Sequence, residues 1–486
     1  MKKLLKLIGD NYLFWGIAFL LSFIPLYPKF PLFGVEGTYV HIRLEDIFVA
    51  ILVGLFALNL LLKRNFSLLK DSLTQLLLLF FGIGLVSILS ALLITKNVVP
   101  HIAFLHFLRR VEYISLLFVA YFSLKNIKQL KVYGQIALAA TLGVIAYGLG
   151  QKFFGWPVVS TMNKEFSKGM ILKLTWWARI NSTFAGHYDL AAFMVMILPL
   201  VVIGLIIARK WWQKLLISIL GIFSYYVLIL TASRVSFVAY MVAVSFVLWF
   251  AQKRWWLIPF LSLSVLGMIF SDDLGQRYAA TFKVDLSFLS GRVLVEPKKE
   301  PPVLTPTPTL APELPVVTTR PGRLPTLTPT PTPAPATASA EPVEPTAMAV
   351  GRSTDIRLKV EWPRALRAFA KNPLLGTGYS SIDLATDNDY LRMLGEVGLL
   401  GTLAFWAVIL EIGRRIFHFW RRGNAGREEK LIVLGIAGTA IGYLLNAVFI
   451  DVFEASKVAF FFWILMGIAL KVIDLNQKSA TKAESN

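Results

Sequence analysis

Residues 73–94 read LTQLLLLFFGIGLVSILSALLI, a run with no formal charge and no alternation between polar and apolar side chains. About 20 helical residues cross a bilayer core, so the run has the length of a membrane span. Hydrocarbon offers no partner to free peptide groups, and a continuous apolar run suits a helix where alternation would suit a barrel strand. The fold class is therefore all-α. Comparable runs lie near 11–30, 46–62, 103–123, 132–151, 188–208, 214–231, 236–251, 255–270, 396–413, 431–450 and 456–471. With a mean hydropathy of +0.64 and 56% hydrophobic residues, the chain reads as a polytopic membrane helix bundle of about 12 spans. Its start, MKKLLKLIGD followed by NYLFWGIAFLLSFIPLYPKF, has the charged-then-apolar order of a secretory signal. No small-x-small cleavage site follows, so the segment is read as an uncleaved first span.

The formal net charge is +20, yet the basic residues are scattered between apolar runs and form no patch on a soluble domain; nucleic acid is excluded as a partner. Lys63, Arg64 and Lys70; Lys125, Lys128 and Lys131; Arg209, Lys210 and Lys214; Lys253 and Arg254; and Arg414, Arg415, Arg421, Arg422, Arg427 and Lys430 occupy alternate short connections. That is the positive-inside pattern, and it places both termini on the cytoplasmic side of a plasma (inner) membrane. The fourth run is crossed by Arg109, Arg110 and Glu112. Losing it as a span would invert everything downstream and break the charge rule. The chain has no cysteine, which removes disulfides and thiolate metal sites. No histidine lies at metal-site spacing, and GxxxxGK[ST], GxGxxG after a strand and GxSxG are all missing, so neither metal nor cofactor is expected.

The organisation that follows is amino-terminal membrane helices over 1–151, an outward loop over 152–187, further membrane helices over 188–270, a long extracytoplasmic loop over 271–395, carboxy-terminal membrane helices over 396–471 and a cytoplasmic tail over 472–486. The long loop carries a Pro/Thr/Ala tract over 296–348, with too few large apolar groups to offset chain entropy. It reads as a disordered spacer, or alternatively as an O-glycosylated stalk. After it, STDIRLKVEWPRALRAFAKNPLLGTGY resumes as a short amphipathic helix on the outer membrane surface, stopped by Pro373, Gly376 and Gly378.

Polar groups collect where this topology puts the outer boundary. WWARINSTFAGHYDLAAF precedes the sixth span with Arg179, His187 and Asp189; LTASRVSFVAY leaves room only for a tight turn beside Arg234. An arginine at mid-membrane costs about 2.5–3.5 kcal/mol on insertion scales, so Arg234 is read as facing a polar cavity or an anion. Arg179 reads equally as an interfacial anchor. In ATDNDYLRMLGEVGLLG, residues 385–401, Asp387 or Asn388 fits a helix N-cap and the acids fit the helix dipole, while Asp387 also fits a proton acceptor. Arg392 and Glu396, spaced i,i+4, read as a surface ion pair.

ARINSTFAGHYDLAAFMVMILPL, LTASRVSFVAY, IRLKVEWPRALRAFAKNPLLGTGY and DNDYLRMLGEVGLLGTLAFW, in that order and spanning roughly 175–413, resemble the O-antigen ligase and polymerase family. Its members are polytopic glycosyltransferases acting on undecaprenyl-pyrophosphate-linked glycans. The resemblance implies that outward arginines grip the donor pyrophosphate; the matching positions are Arg179, Arg234 and Arg357, with Arg277 in GQRYAATF a further match. The spacing from Arg357 to Trp362 is one residue longer than the family pattern. Family ligases also carry a histidine before the asparagine of the last motif, where this chain reads Asp387, Asn388 and Asp389. A carboxylate in a partly dry cleft is basic enough to take an acceptor's proton, so Asp387 and Arg234 stand as catalytic candidates. Arg179, Arg357, Arg277, His187, Asn388 and Asp389 stand as substrate-binding candidates.

The implied activity is polymerisation or transfer of undecaprenyl-pyrophosphate-linked oligosaccharide units at the outer face of the membrane. The partners are a lipid-linked glycan donor, a glycan, lipid or protein acceptor, and membrane lipids. An O-antigen-type ligase or a protein O-oligosaccharyltransferase is the alternative within this chemistry. A secondary transporter or lipid-glycan flippase is the alternative outside it, although such a protein should show repeated halves and mid-membrane charges.

Overall fold

The computed structural model describes residues 11–36, 38, 41–64, 67–159, 171–175, 178–271, 274–275, 277–278, 355–382, 385–421 and 425–484. The Pro/Thr tract over 296–348 lies outside the described residues. The helices are α1 (Tyr12–Leu26), α2 (Leu44–Leu62), α3 (Ser72–Ser90), α4 (Pro100–Ser123), α5 (Ile127–Phe154), α6 (His187–Ile207), α7 (Trp211–Leu230), α8 (Arg234–Phe250), α9 (Leu257–Ile269), α10 (Trp362–Lys371), α11 (Asp389–Arg421), α12 (Arg427–Asn446) and α13 (Ser456–Glu484). Among the described residues the strands form two short antiparallel pairs, β1 (Pro31–Gly34) with β2 (His41–Arg43) and β3 (Pro157–Val159) with β4 (Ile171–Lys173). The molecule is an all-α polytopic bundle.

Local chemistry explains where several helices begin. The Asp71 carboxylate accepts from Thr74 N at 3.3 Å ahead of α3, and the Asn126 amide oxygen accepts from Gln129 N at 3.0 Å ahead of α5. Pro100 opens α4, where its missing N–H costs nothing. Among the described residues, seven helices are long and apolar enough to cross a membrane: α2, α3 with its π-turn (Ser72–Thr95), α5, α6, α7, α11 and α13 over Ser456–Gln477. The helices α1, α8 and α9 are shorter, and α4 carries Arg109, Arg110 and Glu112 at mid-length.

Apolar side chains surround α6 and α13 on every face, and both are enclosed by the rest of the bundle, as all-round hydrophobic helices must be. The principal contacts pair α13 with α4, α12 with α6 and α8, α11 with α3, and α1 with α5. Several helix boundaries differ from the sequence reading, two of them with consequences for the organisation. α11 starts at Asp389 and not at 396, and α13 continues through most of the segment read as a tail. Hydropathy placed the start of α11 too late because Asp389, Arg392 and Glu396 are polar, although each is buried against protein.

One end of the bundle is knitted by polar contacts between helix ends. Lys29 lies 3.5 Å from Asp189, Lys457 donates to the Tyr27 and Thr183 carbonyls, and Asp389 N donates to the Ala447 carbonyl. The opposite end carries Arg415 against Asp71 and Glu411, and Arg209 against Glu428. The candidate residues all belong to the first end.

Candidate active site

The α7–α8 turn carries Arg234 to this end. Ala232 takes a left-handed φ of 49°, Thr231 Oγ1 donates to the Leu228 carbonyl at 2.6 Å, and Ser236 Oγ donates to the Asn446 side chain at 2.8 Å. These bonds satisfy a turn only a few residues long and fix Arg234 as the first residue of α8. Tyr278 adds a hydrogen bond to the Arg234 carbonyl. Arg179, Arg357, Tyr188 and Tyr278 are all within electrostatic range of Arg234.

The first turn of α6 supplies the next wall. The Arg179 guanidinium meets His187 Nε2, and Arg277 stands within electrostatic range of the same imidazole. Tyr188, the next residue, is a hydrogen-bond partner of Arg357. Arg179, Arg234, Arg277 and Arg357 therefore converge around His187 and Tyr188, although the chain separates the first from the last by a long stretch. Four guanidinium groups so close together repel one another unless anionic charge is supplied, and an arginine's planar fork matches phosphate oxygens.

Arg357 belongs to a π-turn (Arg357–Glu361) that leads into α10, with Trp362 N bonded to the Arg357 carbonyl, an i→i+5 step. A π-turn holds one residue more per turn than an α-turn. The Arg357 guanidinium donates from Nε at 2.9 Å and from Nη2 at 2.7 Å to Asp387 Oδ2. Both donors reach the same oxygen, leaving Oδ1 outside the fork. Burial raises the Asp387 carboxyl from its ordinary value; Arg357 opposes the rise and Asp451 reinforces it. Burial and the neighbouring Asp387 push Glu361 up to about 7.

The remaining residues of the 385–401 stretch have other employment. Asn388 caps α11, its side chain accepting from Leu391 N at 2.9 Å, so the capping role falls to Asn388 and not to Asp387. Asp389 is 3% exposed and its Oδ2 accepts from Phe453 N at 2.9 Å. The expected surface pair of Arg392 and Glu396 is a correction: they are 8% and 1% exposed. Glu396 sits 3.4 Å from Arg392 and 3.2 Å from Arg110, while Arg392 lies 3.2 Å from Asp451. Arg110 also contacts Glu454, whose carboxyl burial would raise but Arg110 and Arg392 hold well below its usual range. The i,i+4 spacing was legible; burial was not, because it depends on α4 and on the corner between α12 and α13.

The same stretch breaks its own helix. Gly398 has a φ of 65° inside α11, and the segment after α10 fills the gap: Thr377 N donates to Gly395 O at 2.9 Å, Gly378 N to Glu396 O at 2.8 Å and Leu399 N to Pro373 O at 2.8 Å. A Cβ on Gly376, itself at φ 69°, would stand 2.5 Å from the Glu396 carbonyl. Glycine is required at both positions for the two backbones to meet.

The comparison with protein families bears on this arrangement. Residues 219–406, from α7 through Arg234, Arg277, Arg357 and Asp387 into α11, match the family model described as O-Antigen ligase. Residues 219–406 of the chain thus carry an O-antigen ligase domain. No curated protein matches the chain. That domain supports a membrane glycan-processing enzyme, and the family it describes acts on lipid-linked glycans and acceptors. Arg179 and His187 lie before the matched region, and the fold brings them to it. Tyr188, Tyr278, Glu361 and Asp451 adjoin these candidate residues without having been singled out in the sequence; a tyrosine or acid beside an apolar run carries no distinguishing pattern.

Proposed function

We propose that the chain is a membrane glycosyltransferase that joins undecaprenyl-pyrophosphate-linked oligosaccharide units at the outer face of the plasma membrane, acting as a polymerase. The observation that carries this reading is the convergence of Arg179, Arg234, Arg277 and Arg357 on one end of the bundle beside Asp387. In this reading the arginines hold the donor pyrophosphate and stabilise the negative charge that develops as the lipid pyrophosphate departs. Asp387 Oδ1 takes the proton from the attacking hydroxyl of the acceptor glycan, and Arg357 fixes the carboxylate by its other oxygen. The new glycosidic bond forms at the sugar carbon that loses the pyrophosphate. In the same reading, twelve spans with both termini cytoplasmic, as the positive-inside pattern has them, put this end of the bundle outside.

The test is deletion of the gene and analysis of surface glycans by length. Loss of long chains with short units retained supports the polymerase reading; long chains accumulating on the lipid carrier assign the protein as a ligase; an unchanged profile overturns both. Complementation with Arg234→Lys should restore the chains only weakly, because one charge remains but the multi-donor plane is lost, and Arg234→Ala should restore them less.

A further inference from the structure

Asp387 is a non-glycine residue at a left-handed φ of 47°, a conformation that needs support from its surroundings. Beside the Arg357 fork on its carboxylate, one side chain holds its backbone. Asp451, in the corner between α12 and α13, accepts from Thr386 N at 2.8 Å through Oδ2 and from Asn388 N at 3.0 Å through Oδ1. The two bonds grip the backbone immediately before and immediately after Asp387. Arg392 adds a contact to Oδ2 at 3.2 Å, so both oxygens of Asp451 are occupied within the protein. The clamp is reciprocal. Asp389 reaches back to Phe453 N at 2.9 Å, and Tyr390 Oη donates to the Leu444 carbonyl at 2.7 Å.

We propose that Asp451 is a positioning residue for the transfer reaction, holding the 386–388 backbone so that Asp387 meets Arg357 and presents its second oxygen to the acceptor. The role rests on the reading of Asp387 as proton acceptor. Both N–H groups point at one carboxylate, and no other residue type supplies two acceptor oxygens at that reach. Asp451→Asn keeps the volume but replaces one acceptor with a donor, which opposes an N–H and releases one side of the turn. Asp451→Glu keeps the charge that faces Arg392 and displaces both oxygens by a methylene, so it serves where the neutral variant folds poorly.

The experiment uses the native absence of cysteine. Asp387→Cys and, as a control on the π-turn side, Asp355→Cys are labelled with a membrane-impermeant maleimide, each with and without the Asp451 substitution. Release of the clamp should speed labelling at 387 several-fold and leave 355 unchanged. Equal rates at 387, or equal acceleration at both positions, overturn the proposal. In parallel, glycan chain extension by purified protein is compared for Asp451→Asn, Asp387→Asn and the double variant. Misplacement of a reacting group by about 1 Å costs on the order of 100-fold, so Asp451→Asn should lower turnover about that much while binding of undecaprenyl pyrophosphate is kept. The double variant should be no slower than Asp387→Asn alone; independent, multiplicative losses overturn the positioning role. Faster labelling at 387 together with a fully active Asp387→Asn would keep the clamp and dismiss Asp387 as the proton acceptor, which separates the two claims.

Discussion

Asp387 and Asp389, separated by one asparagine, serve different parts of the molecule: the first receives Arg357 at the convergence of arginines, the second holds Phe453 N in the corner between α12 and α13. Their unlike partners give the two positions unlike mutational signatures.

Asp387→Asn should fold normally. Asparagine tolerates a left-handed φ, and its side-chain oxygen still accepts one bond from Arg357. The basic charge is lost, so turnover should fall by about 100-fold to 10,000-fold, measured on a gel of product lengths with purified protein and lipid-linked donor. Near-wild-type transfer would remove Asp387 from the chemistry.

Asn388→Ala should do the opposite. It deletes the bond to Leu391 N and should cost about 0.5–2 kcal/mol of stability, with donor affinity kept. A thermal unfolding series in detergent reads this directly. A silent Asn388→Ala would show that α11 is held by its tertiary contacts alone.

Glu396→Ala removes the shared partner of Arg392 and Arg110 from a buried site. Arg110 keeps Glu454 and Arg392 keeps Asp451, so the loss should fall below the about 3–5 kcal/mol of a buried pair left uncompensated, yet exceed the few tenths that a surface pair would cost. Chemical denaturation separates the two magnitudes.

Gly398→Ala should destabilise through backbone and not through packing. Its φ is 65°, and a Cβ there would lie 2.4 Å from the Leu374 carbonyl oxygen. The strain together with loss of the bonds from 373–378 should cost at least about 1–3 kcal/mol. A variant as stable as wild type would mean that the break in α11 closes into regular helix.

Glu361 sets a pH dependence. With its carboxyl at about 7, it is neutral in acid and negative in base, and the negative form stands beside the arginines proposed to hold pyrophosphate. Affinity for undecaprenyl pyrophosphate should therefore fall as pH rises through 7, beyond any change due to the ligand's own titration. Glu361→Gln should remove that excess fall. Parallel profiles for wild type and Glu361→Gln would discount the carboxylate.

The sequence by itself determined the helical class and the place of Arg234. Both are local matters: a run such as 73–94 must satisfy its peptide groups internally in hydrocarbon, and an arginine between two apolar runs stands out whatever the fold does. It also held both readings of the 385–401 acids without choosing between them. Which partner each acid meets was a tertiary matter, because the surroundings of a charge are set by what compensates it through space. Asp387 is a neighbour of Arg357, thirty residues earlier; Asp389 and Arg392 meet a corner some sixty residues later; Glu396 meets Arg110 from α4, on the far side of the chain. No spacing in the sequence encodes those encounters. Burial then decides their energies, turning an i,i+4 pair that water would have weakened into part of a buried ionic network.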